Sequence, residues 1–277
     1  MISSLVGNTP LIKISEGIYA KLETFNPTGS IKDRIISYIF NKSIASGELV
    51  KGTQVVEATS GNTGISLSAI CSNMGFSCNI IMPRNMSEER KNMMRFFGAN
   101  VIEVDDYDFK GAISLRNEMV SQGAWSPMQF ENNLNILCHY ETTGPEILEQ
   151  TAGDISAFVS GAGTGGTIMG VSKFLKERDS SIKSVFMRPL EKHHGIQGVG
   201  DGADYLLDMS SVDVSINVGT ETAKSKMLDL SRQLGIPVGI SAAANIVAAE
   251  RYREEFNPTR KIVTILCDRG ERYMSNL

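Results

Sequence analysis

The sequence has no long basic run: 27 Lys+Arg stand against 31 Asp+Glu, giving a net charge of −4 and a pI near 5.5. A phosphate backbone finds nothing to grip, so no nucleic-acid partner is expected. No apolar stretch approaches the roughly 18 residues that span a bilayer. The opening MISSLVGNTP has neither the basic head nor the apolar core of a secretory signal. A cytoplasmic protein without a membrane partner is expected. Cysteine is sparse: Cys71, Cys78, Cys138 and Cys267 are scattered, and their one close pair is C-x6-C, which fits neither zinc-ligand nor redox spacing. Reduced, mostly buried thiols and no metal are expected. Internal repeats, low-complexity tracts and a Pro/Gly/Ser-rich linker are missing too. What remains is a globular composition, 277 residues of which 42% are hydrophobic and 21% charged, large enough to bury a core without disulfide or metal staples.

From about residue 54 short β-branched runs alternate with segments of helical period, the pattern of a parallel sheet wrapped by helices. The runs predict strands at 54–58, 77–82, 100–104, 155–160, 183–187 and 261–267. Helices are predicted at 64–75, 87–97, 109–121, 145–151, 166–177, 222–234 and 242–256. Ser87 followed by Glu88 and Glu89 reads as a capped helix start, Gly98 as a left-handed stop, and Pro145 as a first-turn proline. Without a linker, the expectation is two α/β lobes sharing a cleft. Parallel sheets of this kind bind ligands in loops beyond the carboxyl ends of their strands.

Three such loops are rich in glycine and hydroxyl residues. Gly161-Ala-Gly163-Thr-Gly165-Gly166-Thr167 follows one predicted strand and opens a helix, which aims backbone N–H groups at an anion. Gly161, Gly163 and Gly166 also satisfy G-x-G-x-x-G. The following strand ends in Arg188-Pro189 rather than an acidic residue, so a dinucleotide reading would be NADP, with Arg188 on its extra phosphate. A merely structural glycine turn is a third possibility. Thr59-Ser60-Gly61-Asn62-Thr63-Gly64 follows another strand and offers hydroxyls, an amide and N–H groups suited to a small carboxylate, or an ordinary βα turn. In Asn26-Pro27-Thr28-Gly29-Ser30-Ile31-Lys32-Asp33-Arg34 a lysine ends a turn before a helical run. Alone it would be a solvated charge. Beside an anion loop and a carboxylate loop it completes what pyridoxal phosphate requires: an amine, a phosphate site and a clamp for an amino-acid substrate.

The segments LVGNTPLIKI, YAKLETFNPTGSIKDR, EATSGNTGISLS, MPRNMSEERKNMMRFFGA, HYETTGPEI, SGAGTGGTIMGVSKF and CDRGERYMS resemble, in order and nearly end to end, those of the cysteine synthase (O-acetylserine sulfhydrylase) family. CDRG and MPRNMSEER are closer to its B isozyme than to its A isozyme. The resemblance implies a fold type II pyridoxal-phosphate enzyme, two parallel-sheet α/β lobes with the cofactor in the cleft between them. It implies a large lobe of 1–32 and 135–277, a small mobile lobe of 33–134, and a homodimer. By position, Lys32 matches the Schiff-base lysine and Asn62 the ligand of the cofactor 3′-oxygen. Gly163, Thr164, Gly165, Gly166 and Thr167 match the phosphate cradle, and Ser241 the residue facing the pyridine nitrogen. Thr59, Ser60, Gly61, Thr63 and Gln129 match the substrate-carboxylate site.

A serine at position 241 has a chemical consequence. Its hydroxyl shares a hydrogen bond with a neutral pyridine nitrogen, whereas an aspartate would keep that nitrogen protonated and strengthen the electron sink. The weaker sink favours loss of a β-substituent over transamination. The activity implied is β-replacement on an activated serine, O-acetylserine or similar, with sulfide, giving L-cysteine through an α-aminoacrylate intermediate. Lys32 would move the Cα proton, and loop closure at 59–63 would exclude water. The alternative within the same chemistry is a cysteine-consuming enzyme that releases hydrogen sulfide, with serine or lanthionine as product.

The sequence departs from the family in HHGIQGVGDGADYLLD, where Asp201 replaces a small residue in a loop that lines the family's substrate entrance. Asp201 is therefore a candidate catalytic group acting on the nucleophile or the substrate amine, against the alternative of a solvated loop carboxylate. Ala242 and Ala243 stand where Ser-Gly is common. His193 and His194 are expected at the surface, and Arg188 and Tyr205 behind the site. No appended regulatory domain is expected after Leu277.

Overall fold

The computed structural model describes residues 2–200 and 206–276. In chain order the elements are β1 (Leu11–Ser15), β2 (Ile18–Leu22), α1 (Lys32–Ser46), β3 (Val55–Ala58), α2 (Asn62–Met74), β4 (Cys78–Pro83), α3 (Glu88–Phe96), β5 (Asn100–Val104) and α4 (Phe109–Ser121). They continue with α5 (Leu134–Cys138), α6 (Gly144–Thr151), β6 (Ile155–Gly161), α7 (Gly166–Lys176), β7 (Lys183–Pro189), β8 (Val214–Val218), α8 (Thr220–Leu234), α9 (Ile240–Phe256) and β9 (Lys261–Leu266). A π-helical turn, His139–Thr143, joins α5 to α6. Two compact units result: Met1–Val6, Asn26–Asn132 and Glu271–Leu277 form one, Gly7–Phe25 and Asn133–Gly270 the other.

The first unit is built on the parallel sheet β3-β4-β5. Val55, Val56, Ile80 and Ile81 are fully buried, as expected of a parallel strand covered on both faces. On the far side of β3, Trp125 bridges in parallel to Val55, and its carbonyl accepts from Val56 N at 2.9 Å. The chain thus leaves β3 in one direction toward β4 and β5 and returns on the other side at Trp125. The carboxyl end of β3 is therefore a switch point, where neighbouring connections diverge and leave room for a ligand. Gly98 closes α3 with φ +83°, the left-handed stop the sequence predicts. Ser87 stands at the N-cap position, but its hydroxyl donates to the Arg272 carbonyl at 3.1 Å instead of capping α3.

The second unit carries the sheet β1-β2-β9-β6-β7-β8, parallel except for the β1–β2 hairpin. Succession from β6 through β7 to β8 runs one way across the sheet, and β9 returns to the other side of β6. The switch point lies between β6 and β9, and the glycine loop leaves the carboxyl end of β6 directly there. α9 presents Ala242, Ala243, Ala244, Ala248 and Ala249, all fully buried, so the helix packs closely. The hairpin and β8 are not among the strands predicted from β-branched runs. β1 and β8 are half-exposed five-residue strands in which lysine, serine and asparagine interrupt the apolar pattern.

Candidate active site

Lys32 opens α1 in the first unit, half-buried, with its backbone N–H donating to Ser30 Oγ at 3.3 Å. The next residue fixes the turn that precedes it. Asp33 Oδ2 accepts from Thr28 N at 2.7 Å, and Oδ1 accepts from Thr28 Oγ1 at 2.5 Å and from Ser66 Oγ of α2. Burial pushes the Asp33 carboxyl above its ordinary range, while these hydrogen bonds and the charge of Arg272 pull it down. The lysine turn and the helix after the 59–63 loop are thereby tied together.

That loop follows β3 at the switch point of the first unit. Thr59 is buried, its Oγ1 accepting from Gly61 N at 3.1 Å, and Ser60 is exposed. Gly61 is a necessary glycine, because a Cβ there would run into Arg90 Cδ. The Arg90 guanidinium donates to the Ser60 carbonyl at 3.3 Å and lies 4.8 Å over the Tyr273 ring. Asn62 Oδ1 accepts from Arg272 Nη1 at 2.7 Å, and Thr63 Oγ1 donates to Gln129 Oε1 at 2.6 Å. Gln129 follows Trp125 on the other side of the switch point, so this bond closes it.

In the second unit Gly163 and Thr164 lead into α7, Gly165 is its N-cap with φ +93°, and Gly166 and Thr167 are its first two residues. A Cβ at Gly165 would meet Leu207 N at 2.6 Å, and one at Gly163 would meet the Gly198 carbonyl oxygen at 2.6 Å. At Gly166 it would strike Asn135 Oδ1. Packed backbone thus leaves room for no side chain, while the first-turn N–H groups of α7 have no intrahelical acceptor. These groups and the helix dipole make an anion site. Thr164 Oγ1 accepts from Asn135 Nδ2 at 2.9 Å and from Gly166 N at 3.3 Å. Thr167 Oγ1 lies 3.2 Å from His139 Nε2, and His139 Nδ1 lies 2.9 Å from Thr143 Oγ1, so the π-helical turn braces the loop. Ser241, buried near the start of α9, approaches the same loop system: a Cβ on Gly198 would sit 3.7 Å from its Oγ.

Asp201 and Tyr205 lie outside the described residues. His193 and Arg188 are exposed, and His194 is half-buried with Nδ1 accepting from Ile196 N at 3.3 Å. Sequence reasoning named none of Arg90, Asn135, His139 and Arg272 as functional. Their signal was present in part, since His139 lies in HYETTGPEI and Arg272 in CDRGERYMS, but each acts on another side chain. No local pattern announces such a partner.

Each unit by itself offers groups of the kind pyridoxal phosphate needs: the second a glycine cradle for a phosphate at a helix start and a hydroxyl at another helix start, the first an amine at the end of a fixed turn. The model of the pyridoxal-phosphate dependent enzyme family matches residues 2–268. The chain belongs to that family. It is 38% identical to cysteine synthase B of Escherichia coli over 98% of its own length and 93% of that protein. A solved structure of a hydrogen sulfide-producing enzyme from Fusobacterium nucleatum superposes with a TM-score of 0.92 at 37% identity, covering 99% of both chains. O-acetylserine sulfhydrylase isoform 3 of Entamoeba histolytica gives a TM-score of 0.92 at 35% identity, over 99% of this chain and 90% of that one. Family membership establishes a pyridoxal-phosphate-dependent enzyme of fold type II and removes the NADP reading of G-x-G-x-x-G.

Proposed function

We propose that this enzyme makes L-cysteine by β-replacement, joining sulfide to an activated serine such as O-acetylserine. The observation that carries the reading is the Thr63–Gln129 bond across the β3 switch point. It gives a family member a preset amide and hydroxyl loop for a small amino-acid carboxylate. Pyridoxal phosphate, when bound, supplies the electron sink for a carbanion at the substrate Cα. Lys32 Nζ would tether the cofactor and would also be the group that takes and returns the Cα proton. The N–H groups and hydroxyls of Gly163 to Thr167 hold the phosphate, and Asn62 donates to the 3′-oxygen. Ser241 Oγ would share a hydrogen bond with the ring nitrogen without enforcing its protonation, a weaker electron sink that favours loss of a β-substituent. Thr59, Ser60, Gly61, Thr63 and Gln129 orient the carboxylate, and closing on it they exclude water that would otherwise divert turnover to pyruvate and ammonia before sulfide adds.

The same chemistry run on cysteine, with release of hydrogen sulfide, is a second reading. It is supported by the likeness to the Fusobacterium enzyme over the full length of both chains. Incubation with O-acetylserine plus sulfide, and separately with cysteine plus a thiol or water, decides between them. L-Cysteine formed in the first and little sulfide released in the second supports the synthase. The reverse pattern overturns it in favour of the second reading, and inactivity in both, with a variant Lys32→Ala no different, removes the family chemistry. Asp201 is proposed to bias this choice. Asp201→Asn should then affect the cysteine and O-acetylserine reactions unequally, and equal effects or none dismiss it. A cytoplasmic homodimer without a membrane partner completes the proposal; among the described residues no helix is long and apolar enough to cross a membrane.

A further inference from the structure

Arg272 lies on the short 3-10 segment Gly270–Asn276 near the end of the sequence, and only 2% of its surface is exposed. Burying a guanidinium demands partners, because an isolated buried charge is heavily penalised. Its partners are all in the first unit. Nη1 donates to Asn62 Oδ1 at 2.7 Å, Nη2 donates to the Thr28 carbonyl, and its charge acts on Asp33. Among the described residues Nε has no hydrogen-bond partner. A solely structural arginine would gain as much from a second carboxylate. This one gives one of its donors to the amide of Asn62, the first residue of α2.

That choice has a geometric consequence. A guanidinium only donates, so the Asn62 atom facing it must be the carbonyl oxygen, and the amide nitrogen takes the opposite branch. We infer that Arg272 is a positioning residue: it fixes the Asn62 amide so that Nδ2, a donor, is presented to the 3′-oxygen of pyridoxal phosphate. With its carbonyl presented instead, Asn62 would repel an oxygen that bears negative charge. The bond to the Thr28 carbonyl links the same guanidinium to the turn that ends at Lys32. One side chain thereby sets the amide in register with the turn that carries the lysine. The adjacent Tyr273 reaches the neighbouring part of the loop through Arg90, whose guanidinium holds the Ser60 carbonyl. Ser275 anchors the segment by donating from N and Oγ to the Glu89 carboxylate at 3.0 and 2.9 Å.

The inference rests on Asn62 being a cofactor ligand, and a double-mutant cycle separates the two. Arg272→Gln, Arg272→Lys, Asn62→Ala and Arg272→Gln/Asn62→Ala are compared by pyridoxal-phosphate dissociation constant, by the pH dependence of the bound cofactor's visible absorption, and by melting of the cofactor-free protein. Lysine keeps the charge beside Asp33 but cannot form the two-armed fork. Arg272→Lys should therefore melt near the wild type while binding the cofactor about tenfold more weakly, the scale of one charge-assisted hydrogen bond. Arg272→Gln should match Asn62→Ala, shift the absorption profile in the same direction, and add nothing to it in the double variant. Multiplying effects in the double variant, or wild-type affinity and absorption in Arg272→Lys, overturn the inference. Wild-type behaviour of Asn62→Ala overturns it together with the assignment of Asn62, while failure of the wild type to bind pyridoxal phosphate overturns the proposed function itself.

Discussion

Thr63 Oγ1 and Gln129 Oε1, 66 residues apart in sequence, share a 2.6 Å hydrogen bond in which the threonine donates. Direction matters here. Because Oε1 is the acceptor, the Gln129 amide nitrogen points along its other branch as a donor, the polarity an anionic carboxylate needs. Gln129→Ala should raise KM for the amino-acid substrate about tenfold and leave KM for sulfide unchanged, the scale of one hydrogen bond to a charged group. Thr63→Ala should act in the same direction but less, since it only loosens the amide. Steady-state kinetics with each substrate varied in turn checks both, and an effect confined to sulfide would contradict the assignment.

The cradle makes a prediction about backbone. Gly165 combines φ +93° with a neighbour, Leu207 N, 2.6 Å from where a Cβ would lie. Alanine there pays the left-handed penalty and must also displace main chain, together about 2–4 kcal/mol. Gly165→Ala should lower the urea midpoint accordingly and abolish phosphate capture. Gly75→Ala is the control: its φ of +76° is strained too, but among the described residues nothing lies within 4 Å of the added carbon. It should lose only about 1 kcal/mol.

The strands were legible where β-branched residues run unbroken, as in Val55-Val56 or the run Ile262 to Leu266, because buried parallel strands need nothing else. β8 escaped because Ser215 and Asn217 face solvent and dilute the signal. The glycines of the cradle were legible because steric exclusion leaves them no substitute. Asn135, His139 and Arg272 were not, since their meaning comes from what the tertiary fold sets against them. Ser87 marks the boundary between the two cases: the local cap rule locates the start of α3, yet the hydroxyl is taken by the carbonyl of a residue 185 positions away.

Glu57, fully buried on β3, predicts a pH dependence of stability. Burial raises its carboxyl to about 7 from the ordinary 4.5, although Arg116 stands 3.5 Å away and Ala58 N donates to it at 2.8 Å. The folded chain therefore holds a proton that the unfolded chain has released. Its contribution is fully present below about pH 4.5 and is lost as pH rises through about 7, a difference of about 3 kcal/mol. Urea melts at about pH 5 and about pH 8 should show that decline, and Glu57→Gln should flatten it. An unchanged slope would mean that Arg116 keeps the carboxylate charged throughout.

Asn135 carries the last prediction. Thr164 Oγ1 accepts two hydrogen bonds, from Asn135 Nδ2 and from Gly166 N, which uses both lone pairs of the hydroxyl. Its own proton must then be donated elsewhere, and an anion bound at the start of α7 would be an acceptor for it. Asn135 thus turns a threonine that could serve as either donor or acceptor into a fixed donor toward phosphate. Removing the amide in Asn135→Ala frees one lone pair and lets the hydroxyl rotate. Affinity for pyridoxal phosphate should fall about tenfold. Affinity for pyridoxal, which lacks the phosphate, should not change. Calorimetry with the two ligands separates these outcomes, and equal losses for both would place the role of Asn135 in the fold of the loop and not in the polarity of Thr164.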